Sequence, residues 1–121
     1  MNISFVSSGS EQLAITLLAN MAKQRGHTVN LAFSAALFKD LGLPLFVRLF
    51  DDTNLVLDKL TQQQPDIVAF SALTQSYQWM LGIAREIKKI NPAVKTVFGG
   101  VHVSAVQEIA LKNKEVDYIV V

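Results

Sequence analysis

The sequence predicts an α/β fold: an open parallel sheet wound with helices on both faces. Three observations carry this. Short apolar runs alternate with amphipathic helical patterns along the whole chain. The runs are continuously apolar, as strands buried on both faces require. The helical patterns close on breakers, at Gly26, Pro65 and Asn91-Pro92.

Residues 3–6 form the first apolar run, which ends in a loop at Ser7, Ser8, Gly9 and Ser10. Helix one is predicted over 12–25. Leu13, Ala14, Leu17, Leu18, Met21 and Ala22 recur at three and four and are expected to form one buried stripe. Ser8 and Glu11 have capping-box spacing, and Gly26 suits the position after a helix end. Strand two is expected over 28–33.

The stretch 34–52 is ambiguous. Ala35, Ala36, Leu37, Phe38 and Leu41 suggest a helical turn stopped by Gly42 and Pro44, and 45–50 reads as a strand or a packed apolar loop. A connection of this length in a compact domain is usually functional or partly structured. Helix two then runs over 54–64, capped by Asp51, Asp52 or Thr53, and ends before Pro65 because the residue preceding proline avoids helical geometry.

Strand three is 67–70, and helix three runs from a Ser76 cap to Ile90 with Met80, Ile83, Ala84, Ile87 and Ile90 inward. Strand four is 96–98, followed by Gly99-Gly100. Ser104 and Gln107 have capping-box spacing for a helix over 105–113, and strand five is 117–121. This count of elements favours the flavodoxin-like (Rossmann-like) five-stranded order 2-1-3-4-5. In that order a fifth helix would share a face with helix one. The chain stops at Tyr118-Ile-Val-Val121, so a fragment of a longer protein is expected, with a downstream segment covering that face.

Composition narrows the function. The 121 residues suffice for one domain, and half of them are hydrophobic, so the chain folds. Eleven basic and ten acidic residues are scattered, giving a net charge of +1 and no basic stripe for nucleic acid. The absence of cysteine removes disulfides, thiolate metal sites and cysteine nucleophiles, and makes a reducing cytoplasm the expected compartment. The start, Met1-Asn-Ile-Ser-Phe-Val, has no signal-peptide character. The most apolar segment, 35–50, is too short and too interrupted by charge to span a membrane.

Three loops are predicted to converge at the carboxyl edge of the sheet, where such folds bind ligands. They carry Ser8 and Gly9; Ser71, Ala72, Leu73, Thr74 and Gln75; and Gly99, Gly100 and His102. Gly99-Gly100 either lets a flat ligand lie on bare backbone or makes a tight turn with positive φ. Ser71 can bond a buried ligand or a neighbouring amide. Tyr77 and Trp79 can stack on a ligand or pack in the core. His27 reads as a turn residue.

At these residues the sequence resembles the cobalamin (vitamin B12) binding domain that precedes the catalytic barrel in many radical S-adenosylmethionine enzymes. The resemblance covers nearly the whole chain. Residues 13–33, with Arg25-Gly-His-Thr-Val29, are similar to the family's first βα unit, and Pro65-Asp-Ile-Val-Ala-Phe-Ser71 to its third strand. Ser71-Ala-Leu73 fits the Ser-x-Leu motif beside the nucleotide tail, and Val97-Phe-Gly-Gly-Val-His102 the Gly-Gly-x-His pattern. Val116-Asp-Tyr-Ile-Val-Val121 is similar to the strand that leads into a Gly-Glu-Gly-Glu segment.

One departure matters. His-ligated members carry Asp-x-His-x-x-Gly after strand one, whereas this chain has Ser7-Ser8-Gly9-Ser10-Glu11-Gln12. The resemblance therefore implies cobalamin held base-off with no protein metal ligand. The tail would lie near Ser8, Ser71, Leu73, Gly99 and Gly100, and the corrin near Thr74, Gln75 and His102. It also implies a downstream domain using S-adenosylmethionine and a [4Fe-4S] cluster, for methyl transfer or a related radical step.

Two other readings stand beside this one. A flavodoxin-type domain would use the hydroxyl-rich loop 7–10 to cradle the phosphate of FMN or another nucleotide. A structural interaction domain would use 43–50 and strand five as contact surfaces. A phosphorelay receiver is excluded, because Ser7 and Ser71 stand where its acidic residues belong.

Overall fold

The computed structural model describes residues 1–9, 13–35, 45 and 51–121. The readings placed on 36–44 and 46–50, the Ser8–Glu11 capping pair and the start of helix one at residue 12 lie outside the described residues. The elements run β1 (Asn2–Ser8), α1 (Leu13–Gln24), β2 (Thr28–Ser34), α2 (Thr53–Gln63), β3 (Ile67–Ser71), α3 (Tyr77–Ile90), β4 (Lys95–Gly99), α4 (Val101–Ala105), α5 (Gln107–Leu111) and β5 (Tyr118–Ile119). The five strands form one all-parallel sheet in the order β2-β1-β3-β4-β5, as expected. No described helix is long and apolar enough to cross a membrane.

Register and alternation divide the sheet into two unequal faces. Ser4 and Val6 lie beside Ala32, Ser34, Val68, Phe70, Thr96 and Phe98 on the first face. All of these are buried. Val56 and Leu60 of α2 cover this face with Met80, Ile83, Ala84 and Ile87 of α3. Phe70 and Phe98 stack at its centre, ring centroids 4.5 Å apart. The polar groups there are paired: Ser4 Oγ donates to Gln63 Oε1 at 2.8 Å, and Ser34 Oγ to Asp52 Oδ1 at 2.7 Å.

The second face carries Ile3, Phe5, Ser7, Leu31, Phe33, Ile67, Ala69, Ser71, Val97, Gly99 and Tyr118. Helix α1 covers part of it, but not with the expected stripe. Ile15 is the buried residue of α1, while Leu13, Leu17 and Met21 are 74%, 57% and 51% exposed. The helix is apolar around most of its circumference, so periodicity alone did not choose the inward side. The stripe Ile15–Ala19–Ala22 presents small side chains that let α1 settle close to the sheet.

Asp52 and Ser76 stand at the N-caps of α2 and α3, as expected, though neither side chain makes a cap bond to its helix. Asp51 Oδ1 accepts from the Thr53 N–H at 3.0 Å, and Ser76 Oγ bonds Leu73. Two later elements differ from expectation. The single helix expected over 105–113 is two short helices that break at Val106 (φ −130°, ψ 39°). Gly100 turns the chain straight into α4. Ser104 Oγ then donates to Gly100 O and Gln107 Nε2 to Ser104 O, so no reciprocal capping box forms. Strand β5 is shorter than 117–121, although the Val120 N–H extends its bonding to Phe98 O at 2.9 Å.

Asp117 ties β5 to the fold. Its Oδ2 accepts from Lys88 Nζ, from the Thr96 N–H at 2.8 Å and from Thr96 Oγ1 at 3.1 Å. Burial alone would raise this carboxyl; the Lys88 and Thr96 bonds outweigh it and hold its pKa below the ordinary value. A folded pKa below the unfolded one gives stability that is full above the ordinary aspartate range. That stability is lost as pH falls through the folded value. Asp117→Asn is expected to cost about 1–3 kcal/mol at neutral pH. Urea melts of the variant and the parent should converge as pH falls below the folded pKa of Asp117.

Candidate functional site

Strand order reverses between β1 and β3, so their carboxyl ends open the crevice where such sheets bind ligands. The loops after β3 and β4 are joined there by backbone. The Ala72 N–H donates to Gly99 O at 2.8 Å, and the His102 N–H donates to Ala72 O at 3.3 Å. Gly100 lies between these bonds at φ +98°. A Cβ there would stand 2.7 Å from Ala72 O and 2.9 Å from Ala72 N. Gly100 is thus required by the turn and by close approach of two backbones, not by contact with a ligand. A Cβ on Gly99 would meet Val120 O at 3.5 Å, an ordinary contact.

The second face holds the open part of the edge. Ser71 pairs with Gly99, and Ser7 pairs with Phe33. Extending the β1–β3 register by one step sets Ser7 beside Ser71. The row Ser7–Ser71–Gly99 therefore crosses three strands with two hydroxyls and a bare Cα. Ser8 alternates onto the other face, half-buried and paired with Ser34. Gly9 has φ +85°, and its N–H donates to Ser34 O at 2.9 Å. Ala72 is wholly buried in the core.

Above this row stands a polar rim. Thr74 Oγ1 and His102 Nδ1 are 3.2 Å apart, Leu73 is partly open, and Gln75 is exposed. His102 sits within α4 rather than in a loop, its ring 4.3 Å from that of Tyr77. Tyr77 is a core residue: it packs edge-on against Phe98, and its hydroxyl accepts from Asn113 Nδ2 at 3.1 Å. Burial pushes its phenol pKa up against the Asn113 bond, which keeps the ring neutral. Trp79 Nε1 donates to Thr53 Oγ1 at 2.9 Å, which spends its polar handle on α2. His27 lies at the opposite end of the sheet, with Nδ1 3.3 Å from the terminal amine.

The structure thus brings together Ser71, Gly99, Leu73, Thr74 and His102, and turns Ser8 and Ala72 away from the open row. Sequence reasoning assigned Ser7 to the loop and missed it as a site residue. The alternation Ile3, Phe5, Ser7 was the available signal, placing a hydroxyl on the face that α1 covers. Two hollows, of about 390 and 500 Å³, lie at the amino edge, both lined by Pro65, Asn91 and Val94 among others. The second is also lined by Asp66, which already accepts from the Asn2 N–H at 2.7 Å. The carboxyl edge is the better candidate because the Ser7 and Ser71 hydroxyls converge there beside the strand-order reversal.

A corrinoid with a nucleotide tail fits this donor set. Its tail would need hydrogen-bonding groups and few bulky side chains, and the row Ser7–Ser71–Gly99 offers two hydroxyls and one residue without a Cβ. No group of His, Asp and Glu able to hold a metal ion exists among the described residues.

Fold and edge together define a doubly wound ligand-binding module. The chain belongs to the B12 binding domain family, which it matches over residues 8–121. Its fold is that of a novel cobalamin-binding protein from Desulfitobacterium hafniense DCB-2, solved at 1.5 Å, with a TM-score of 0.70 at 17% identity. The match covers 98% of this chain and 51% of that one, so the chain spans about half its length. No curated protein matches the sequence.

Gly100→Ala is expected to destabilise the domain by about 3 kcal/mol or more, from strain and overlap combined. Gly99→Ala should cost about 1 kcal/mol or less. Urea unfolding of the two variants side by side distinguishes these roles.

Proposed function

We propose that this domain holds cobalamin base-off, with no histidine from the protein on cobalt, for a catalytic domain of the radical S-adenosylmethionine type. The observation that carries this is the uncharged row of buried Ser7 and half-buried Ser71 and Gly99 on the second face, at the switch point of a B12-binding domain. When bound, cobalamin would supply an alkyl-carrying cobalt. The chain's own task is to bind and orient it. Ser71 would bond the tail, Gly99 would admit it against bare backbone, and Leu73, Thr74, Gln75 and His102 would face the corrin.

The sequence Ser7-Ser8-Gly9-Ser10-Glu11-Gln12 supports the base-off part, since the loop after β1 offers no imidazole. The second face supports the wider reading. Ile67, Ala69 and Val97 are half-buried and Tyr118 is exposed, which suits a further element packed on β3–β5. The chain lacks the cysteines of an iron–sulfur site, so the [4Fe-4S] cluster and S-adenosylmethionine belong to that catalytic domain. Methyl transfer or a related radical step is the corresponding chemistry.

A flavin is less well served. The Gly9 N–H is already spent on Ser34 O rather than free to cradle a phosphate. The test is to add hydroxocobalamin or FMN, desalt, and record the visible spectrum. Retained corrinoid with a base-off spectrum is expected; retention of FMN alone would sink the proposal. Ser71→Leu should weaken cobalamin retention about tenfold or more by filling the slot, and undiminished retention would remove Ser71 from the site.

A further inference from the structure

Strand β2 forms one edge of the sheet, and it lacks the sequence devices that keep an edge strand from pairing. It runs for seven residues, Thr28–Ser34, without proline or charge. The opposite edge strand, β5, has two residues and the carboxylate of Asp117 beside it. The Thr28 N–H donates to Met1 O, and Ser34 O accepts from the Gly9 N–H, which sets the alternation along β2. Thr28, Asn30, Ala32 and Ser34 turn their backbone groups toward β1, so Val29, Leu31 and Phe33 turn theirs outward. Leu31 O takes a long bond from Gln63 Nε2 at 3.4 Å, and a carbonyl has a second lone pair to offer. The side chains of the same three residues lie together on the second face, with Leu31 48% and Phe33 44% exposed.

We propose that β2 pairs antiparallel with β2 of a second copy of this chain, about a two-fold axis at Leu31. The strand is self-complementary about that axis. Leu31 falls opposite itself, Val29 opposite Phe33, Asn30 opposite Ala32 and Thr28 opposite Ser34. Every outward-turned residue then sits in a pair that exchanges both N–H···O bonds. Its apolar side chain meets another apolar side chain on the same face. The register also sets Phe33 of the second copy beside Val29, which lines a groove of about 220 Å³ with Leu31 and with Thr16 and Asn20 of α1, among others. That groove gives the ring a seat. An uncharged edge favours an uncharged occupant, and a net charge of +1 makes two copies repel little. One strand and one groove make a contact smaller than the roughly 800 Å² per partner of a stable complex, so the dimer is weak, forming at roughly 10–100 µM.

Sedimentation equilibrium of the chain from about 10 µM to about 1 mM tests this. A concentration-dependent dimer is expected; a monomer throughout, or a trimer or larger species, overturns the proposal. Leu31→Lys sets two like charges opposite each other and should raise the dissociation constant about tenfold or more. Leu17→Lys, at an exposed position of α1, should leave it unchanged. Weakening by Leu17→Lys alone, or equal weakening by both, would move the contact to α1 and overturn strand pairing. The register has its own readout in this cysteine-free chain. With diamide as oxidant, Leu31→Cys should form a disulfide dimer about tenfold faster or more than Phe33→Cys, because Leu31 faces its own copy and Phe33 does not. Equal rates would overturn the two-fold at Leu31.

Discussion

The contact on which the carboxyl edge depends is the one between the backbones of Gly100 and Ala72. It is made possible by the lack of a side chain at Gly100 and is closed by two hydrogen bonds, Ala72 N–H to Gly99 O and His102 N–H to Ala72 O. Because the two loops are locked together, Ser71 and Gly99 stay level at the end of the sheet, and His102 is carried to within reach of Thr74 and Tyr77. The same lock starts α4 directly after β4. The glycine pair thus divides its work: Gly100 builds the edge, and Gly99, whose missing Cβ would rest in ordinary contact with Val120, is not required by it.

The sheet itself is asymmetric. Its first face is sealed by α2 and α3 over a continuous apolar core, and its buried polar groups are paired. Its second face is partly covered by α1 and carries the open row of the site. Asp117 fixes the far edge by taking three donors from Lys88 and Thr96, so a strand of two residues is held in register by a side chain rather than by a long ladder. One face is sealed by helices, and the other keeps half-buried side chains along β3 and β4.

Much of this was legible in the residues. Continuous apolar runs and breakers at Gly26, Pro65 and Asn91-Pro92 gave the parallel order. The Ser-x-Leu and Gly-Gly-x-His patterns marked the edge. Three things were not legible, each for a physical reason. Helix α1 is apolar nearly all round, so its inward side depends on which stripe is small enough to approach the sheet. The early start of α4 follows from the turn at Gly100, which the capping-box spacing at Ser104 did not show. Strand alternation decided which serine faces the site: Ser7 was read as loop because it adjoins Ser8 and Gly9, yet it is the last buried residue of β1 on the α1 side.

The proposed state of the cofactor has a direct spectroscopic signature. The protein would be loaded with cob(II)alamin and its electron paramagnetic resonance spectrum recorded. Binding with the nucleotide base displaced and no imidazole on cobalt predicts cobalt hyperfine lines without splitting from an axial nitrogen. Lines split by one axial nitrogen would contradict it, since they would require either a protein imidazole or the cofactor's own base on the metal.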